Sequence, residues 1–336
     1  MLVPESMESP GTLATNGFSW TCLRSRMEIH FKREEGEVVF SGDQAKPLSL
    51  IPQSIFRDEN EPDAQKRFKA YGYMSMNLRR RGTSYITSPD CLHRAAHAEL
   101  PVIDPAIRGT PPAVGGPTSQ MHDTVCFPYE GYYLALYQDQ HDPLNMPVEL
   151  AVSRDSGWFR HVKPGQKVIP VGEPDEWDAL VILPTMPVIL EHEIRLYYGG
   201  GSERREPDGA KRWQTLPGLA TLRRDGFTSI QLTDKQTVGT LATIPCQVPE
   251  QATRLHINVD CPEGAEIRVE LIDFLTGKPV AGYSIDACQP VTGDQIDAAV
   301  LWQGRRTLPP DQVTVALRFR LRTERASPRL YAFWFT

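Results

Sequence analysis

One turn recurs along the first two-thirds of this chain and constrains its fold more than any other feature. Thr15-Asn16-Gly17-Phe18-Ser19-Trp20, Ser88-Pro89-Asp90-Cys91-Leu92, Ser153-Arg154-Asp155-Ser156-Gly157-Trp158 and Arg224-Asp225-Gly226-Phe227 each carry an Asn or Asp, a turn and an apolar anchor. The Asn/Asp positions 16, 90, 155 and 225 stand 74, 65 and 70 residues apart. Asn, Asp and Gly tolerate the positive φ of a tight hairpin, so each segment predicts a reversal between two strands.

An aromatic-rich run precedes each turn after the first, at 67–73, 132–137 and 193–198, and places Tyr71, Tyr137 and Tyr198 at 66- and 61-residue intervals. These runs predict strands. Each unit opens with an acidic residue beside an apolar run: Phe56-Arg57-Asp58, His122-Asp123-Thr124-Val125 and Trp177-Asp178-Ala179-Leu180. Three or four short strands, repeated at this interval, predict propeller blades, whereas a sandwich would space its turns more closely and less evenly. Three units are complete. The Asn16–Trp20 segment reads as the tail of a blade lacking its earlier strands. Either residues 1–55 supply strands the pattern does not reveal, or the chain is a shortened version of a longer protein; the second is the expectation. An unclosed propeller exposes strand edges, which predicts pairing with a partner, a second copy of the chain among the candidates.

From about Gln231 the pattern changes. Residues 254–258, 266–273 and 313–322 alternate, with Val313, Val315, Leu317, Phe319 and Leu321 on one side of the last run and Arg318, Arg320 and Arg322 on the other. Such strands bury one face and solvate the other. The expected architecture is therefore all-β, with incomplete propeller blades over residues 1–230 and a β-sandwich over 231–336.

Composition fits this and excludes several function classes. The 29 prolines and 25 glycines are spread along the chain, as short strands and turns require. A net charge of −6 gives a nucleic-acid partner no support, and Arg79-Arg80-Arg81 reads as a solvated hairpin tip. No apolar run approaches the roughly 18 residues of a membrane span. Met1–Gly17 shows no secretion signal, which leaves the cytoplasm as the default expectation. Cys22, Cys91, Cys126, Cys246, Cys261 and Cys288 form no C-x-x-C pair, and buried free thiols are expected, with no disulfide framework or zinc site. His93 and His97 sit between Pro89 and Pro101 without a helix to hold them as metal ligands. The glycines Gly199-Gly200-Gly201 lack the strand-to-helix context of a phosphate loop. No metal and no cofactor are expected.

The stretches Ile55-Phe56-Arg57-Asp58, Tyr85–Asp90, Met121-His122-Asp123-Thr124, Leu150–Asp155, Glu193–Gly200 and Gly218–Phe227 together resemble the five-bladed propeller glycosidases, the superfamily of invertases, levanases and arabinanases. The resemblance covers most of the chain and extends to the sandwich that follows the propeller in many of these proteins. It implies catalytic carboxylates on the innermost strands, converging on a funnel. Phe56-Arg57-Asp58 is similar to the second-blade Arg-Asp motif, whose Asp holds sugar hydroxyls. Asp123 falls where the third-blade general acid belongs, although the superfamily's acid is usually Glu. The first-blade nucleophile or base would lie upstream of Asn16, where this chain offers nothing.

Glycoside hydrolysis needs one protonated carboxyl at the leaving oxygen and one ionised carboxylate across the ring. Carboxylates from neighbouring blades can divide those roles because burial and repulsion split their pKa values. Asp58, Asp123 and Asp178 are the candidate set, with His122, Glu149, Gln138, Asp139, Trp177 and Tyr198 as candidate sugar contacts. The bland alternative is that these acids cap turns or bind backbone amides. Gln138, Asp139 and His141 read more simply as a solvated loop, Glu149 equally as strand surface, Gly199–Gly201 as a hairpin turn or a flexible lip beside a stacking surface, and Trp20, Trp158 and Trp177 as blade anchors. Three functions follow: a hydrolase acting on furanoside-type sugars, a carbohydrate-binding propeller without catalysis, or an assembly module.

Overall fold

The computed structural model describes residues 11–15, 18–25, 28–30, 50–77, 80–91, 96–97, 101–104, 120–140, 145–207, 209–233, 235–310 and 314–336. Within them the chain is all-β, apart from a single 3-10 turn at Ala64–Lys66 capped by the Asp63 carboxylate. No helix among the described residues is long and apolar enough to cross a membrane. Two compact units divide the chain: Met1–Pro187 with Leu196–Ala220, and Val188–Arg195 with Thr221–Thr336.

The first unit is a succession of antiparallel sheets. β1 (Gly11–Thr15), β2 (Phe18–Ser25) and β3 (Glu28–His30) form a three-stranded sheet, so strands do lie within residues 1–55. Its Asn16-Gly17 turn falls outside the described residues. β4 (Leu50–Arg57), β5 (Phe68–Asn77), β6 (Arg80–Ser88) and β7 (Ala96–His97) follow as a four-stranded meander. β8 (Gln120–Tyr129), β9 (Tyr132–Gln140), β10 (Val148–Ser153) and β11 (Arg160–His161) repeat the plan in the same order. In the next sheet, β12 (Val181–Pro184) and β13 (Val188–Ile189) pair with β14 (Glu193–Arg205), which pairs with β15 (Lys211–Arg223). The β4–β7 and β8–β11 sheets share the predicted plan, whereas the third departs from it, with β12, β13 and β15 all pairing with β14. Among the described residues no sheet closes on itself, so closure into a propeller is not observed.

Two of the recurring turns share one physical form. Ser88 Oγ lies 3.3 Å from Asp90 Oδ1, Ser153 Oγ donates to Asp155 Oδ1 at 2.9 Å, and the next residue takes a left-handed conformation, Cys91 and Ser156 both at φ 64°. Asp225 adopts φ 61° in the third described turn. Small polar side chains that bond their own backbone make this conformation affordable where a β-branched residue could not. Gly199–Gly201 makes no such turn: it lies inside β14, and the chain reverses beyond it, where Glu206 N–H bonds the Ala210 carbonyl. The core of the first unit gathers Tyr71, Tyr137, Met121, Cys126 and Phe159, with Tyr71 stacked on Phe56 and Tyr85.

The second unit is a two-sheet sandwich. β16 (Ile230–Gln231), β17 (Val238–Ala242), β18 (Cys246–Gln247), β19 (Leu255–Cys261), β20 (Ala265–Asp273), β21 (Gly293–Ala299), β22 (Thr314–Thr323) and β23 (Arg329–Phe335) sort into β16-β23-β19-β21 and a second sheet in which β17, β18 and β20 all pair with β22. The alternation predicted along β22 is present: Val315, Leu317, Phe319 and Leu321 enter the core, each worth about 1.5–3 kcal/mol of transfer before entropy. Val313 lies outside the described residues. Trp302 fills the centre, its Nε1–H satisfied by the Val269 carbonyl at 2.8 Å.

Candidate functional site

Register decides which side chains the two meanders present at matching positions. In β4, Pro52 opposes Gly72 and Ser54 opposes Tyr71, so Gln53 is an extra residue, a β-bulge. In β8, Met121 opposes Asp139 and Thr124 opposes Tyr137, so His122 and Asp123 share the space opposite Gln138. The two bulges occupy the same place in their sheets. Matched through Tyr71 and Tyr137, Gln53 corresponds to Asp123, Asp58 to Pro128, and Lys69 to Ala135. The acidic residues that open the units in sequence therefore do not share a position. Asp58 follows the end of β4, about 16 Å along the strand from Gln53 at roughly 3.3 Å per residue. Asp178 lies in the turn before β12, not in an opening strand.

The bulges meet. The Gln53 side-chain carbonyl accepts the Thr124 N–H at 3.0 Å, and its amide donates to Asp123 Oδ1. His122 continues the cluster, with Nδ1 3.4 Å from Arg81 Nη1 and Nε2 2.6 Å from Gln140 Oε1. Arg81 also lies over the Tyr73 ring. Gln53, Arg81, His122, Asp123 and Gln140 are all half-buried, neither sealed nor fully solvated. Burial pushes the Asp123 carboxyl above its ordinary value of 3.8, a rise that His122 and the Gln53 hydrogen bond only partly offset. Gln53, Arg81 and Gln140 were not legible as site residues; they are polar residues in strands, and only the paired bulges bring them to Asp123.

Asp58 does something else. It is fully buried and takes the Lys69 ammonium at 2.6 Å and the Tyr133 hydroxyl at 2.6 Å on Oδ2, with the Asn60 N–H on Oδ1. Lys69, buried as deeply, also pairs with Glu61 at 2.9 Å and donates to Ser156 Oγ at 2.8 Å. Tyr71 O–H bonds the Ser156 carbonyl at 2.9 Å. Burial raises the Asp58 carboxyl, but the hydrogen bonds from Lys69 and Tyr133 outweigh it and hold the group below 3.8. The network pins the left-handed turn of the β8–β11 sheet to the β4–β7 sheet.

The remaining candidates are also occupied. Asp178 accepts the Tyr198 hydroxyl at 2.9 Å, and burial together with Asp178 pushes that phenol up to about 12. Trp177 stacks on Tyr198 with centroids 5.7 Å apart. Glu149 is buried on β10, taking the Tyr137 hydroxyl and the Gly165 N–H at 3.0 Å each. Tyr137 O–H also meets His161 Nδ1, and burial drives the His161 imidazole down to about 4. Gln138 is buried and donates to the Ile182 carbonyl at 2.7 Å, which makes it a bridge to β12 instead of a loop residue. Asp139 is on β9, and its side chain, like His93 and His141, lies outside the described residues. Trp158 is 59 % exposed and anchors no core. Among the described residues no group of three His, Cys, Asp or Glu could hold a metal ion, and Cys91, Cys126, Cys246, Cys261 and Cys288 are free thiols.

No family model and no curated protein matches the sequence. Several solved structures are similar. One is a glycoside hydrolase at 12% identity and TM-score 0.37, matched over 50% of this chain and 44% of that one. Another is the Bombyx mori family 32 β-fructofuranosidase, at 9% identity and TM-score 0.38 over 89% of this chain and 83% of that one. A third is a family 117 glycoside hydrolase from Zobellia galactanivorans, at 14% identity and TM-score 0.36 over 82% and 90%. The chain spans about half the length of the first structures it matches. At these scores no residue role is carried across.

Proposed function

We propose that the chain recognises carbohydrate through the paired-bulge cluster of Gln53, Arg81, His122, Asp123 and Gln140, with residues 1–230 supplying the recognition sheets and 231–336 an accessory sandwich. An amide pair, a carboxyl, an imidazole and a guanidinium side by side offer the mixture of donors and acceptors that neighbouring sugar hydroxyls require. The observation that carries recognition over turnover is the sealing of Asp58 by Lys69 and Tyr133. Hydrolysis needs a second carboxyl roughly 5–10 Å away across one sugar. Asp58 is committed to an ion pair at the far end of its strand, and Asp178 to Tyr198.

Glycoside hydrolysis is the second reading, favoured by the raised Asp123 carboxyl, which suits a general acid. Calorimetric binding of furanosides and pyranosides, run beside turnover of their aryl glycosides, separates the two. Recognition predicts saccharide binding that Asp123→Asn weakens about tenfold or more, with no turnover. Turnover abolished by Asp123→Asn establishes the hydrolase, and wild-type protein that neither binds nor turns over any sugar overturns both.

A further inference from the structure

The glycine run inside β14 makes room for rings on both faces of its sheet. On the inner face, a Cβ at Gly200 would stand 2.2 Å from Trp177 Cζ3, and one at Gly218 2.4 Å from Tyr198 Cζ and 2.6 Å from Trp177 Cη2. Tyr198 shares its face with the buried Leu196, as strand alternation requires. On the opposite face Gly201 does the same for Trp213: a Cβ there would stand 2.6 Å from Cζ2, 3.3 Å from Cη2 and 3.4 Å from Cε2. One edge of the indole is thus seated in a notch of the backbone. The same edge is tied down by its polar atom, since Trp213 Nε1–H donates to Thr215 Oγ1 at 3.1 Å. Thr215 in turn packs over Gly199, its Cγ2 3.5 Å from where a Cβ would be. The ring is fixed, yet Trp213 remains 54% exposed.

A buried tryptophan needs such a notch for packing; an exposed one gains nothing from immobilisation unless its faces are used. Alternation places Tyr197, 44% exposed, and Leu219, 50% exposed, on the same side of the sheet. The Lys211–Glu203 ion pair, 2.8 Å, borders them with hydrogen-bonding groups. A rigid aromatic face with apolar neighbours and a polar rim suits a saccharide ring, whose C–H face stacks while its hydroxyls turn outward. Strand addition by another protein fits less well. Among the described residues β15 pairs only with β14, and its other edge carries Pro217, which lacks an N–H, and begins with Lys211 and Arg212, features that blunt an edge against pairing.

We propose that Trp213 is a fixed stacking platform for a saccharide, separate from the paired-bulge cluster. The choice of ligand class rests on the carbohydrate reading, but the platform does not depend on Asp123. The test titrates arabinan and levan hexasaccharides into wild type, Trp213→Ala, Gly201→Ala and Asp123→Asn, with tryptophan emission, melting temperature and oligomeric state followed in parallel. Trp213→Ala weakens binding about tenfold without lowering the melting temperature. Gly201→Ala does the same by dislodging the ring, since the new Cβ meets the movable end of an exposed side chain, and it abolishes the ligand-induced emission change. Binding by Trp213→Ala equal to wild type overturns the proposal, and so does a change of oligomeric state with saccharide binding unchanged. Loss confined to Asp123→Asn supports the bulge cluster and sinks the platform; loss confined to Trp213→Ala does the reverse. No binding of either hexasaccharide by wild type overturns both.

Discussion

The β4–β7 and β8–β11 sheets share strand order, bulge position and a central tyrosine, yet they spend their polar residues in opposite ways. In the first sheet the bulge carries a neutral amide, Gln53, and the carboxylates sit at the far end of the strand in the Asp58–Lys69–Glu61 network. In the second, the bulge carries His122 and Asp123, and the positions matching Asp58 and Lys69 hold Pro128 and Ala135. One scaffold therefore places one carboxylate where a buried cation holds its pKa down and another where burial pushes its pKa up. The first arrangement fixes structure, and the second is available for chemistry.

The comparison breaks most visibly at Lys69. Lys69→Ala leaves Asp58 and Glu61 without their cation inside the protein, and removal of one partner of a buried pair costs about 3–5 kcal/mol. Urea denaturation should show that loss with the slope unchanged, while a change under about 1 kcal/mol would remove the network from the account.

His161 sharpens the same contrast through pH. Its imidazole is held neutral, its pKa moved from 6.5 to about 4, so the unfolded chain takes up a proton that the folded chain refuses. The folded state is then fully favoured above pH 6.5 and loses stability as pH falls toward 4, by up to about 3 kcal/mol. Asp58 adds a second loss at lower pH, below 3.8, because its carboxyl is depressed. Denaturation midpoints measured from pH 7 to 4 test this: His161→Gln should flatten the drop across that window, and an equally steep drop in the variant would assign it elsewhere.

Much of the architecture was legible because turns and strand alternation are local. The Ser-x-Asp turns, the aromatic runs holding Tyr71, Tyr137 and Tyr198, and the alternating face of β22 depend on φ preference and on burial of one side of a strand. The site was legible only in part. Asp123 stood out as an acidic residue opening an apolar run, with His122 beside it, but Asp58 looked equivalent because spacing along the chain ignores bulges. A bulge is defined by the partner strand, so a single strand's sequence cannot place it. Gly199–Gly201 misled for a related reason. Glycine signals a turn locally, whereas here its small size serves Trp177 and Trp213, which arrive from elsewhere in the chain. Trp158 reads as a blade anchor by type, and the turn that carries it points it into solvent.

The most direct test of the division between the two sheets is a paired stability measurement on Asp58→Asn and Asp123→Asn at pH 7. Asp58→Asn removes an ionised acceptor from Lys69 and Tyr133 and should cost about 2–3 kcal/mol, softened because Glu61 still holds Lys69. Asp123 is raised, so its ionisation opposes folding as pH climbs above 3.8, and a neutral amide there should leave stability within about 0.5 kcal/mol of wild type or slightly higher. Destabilisation by Asp123→Asn with Asp58→Asn neutral would contradict the account, making Asp123 the structural carboxylate and returning Asp58 to the candidate site.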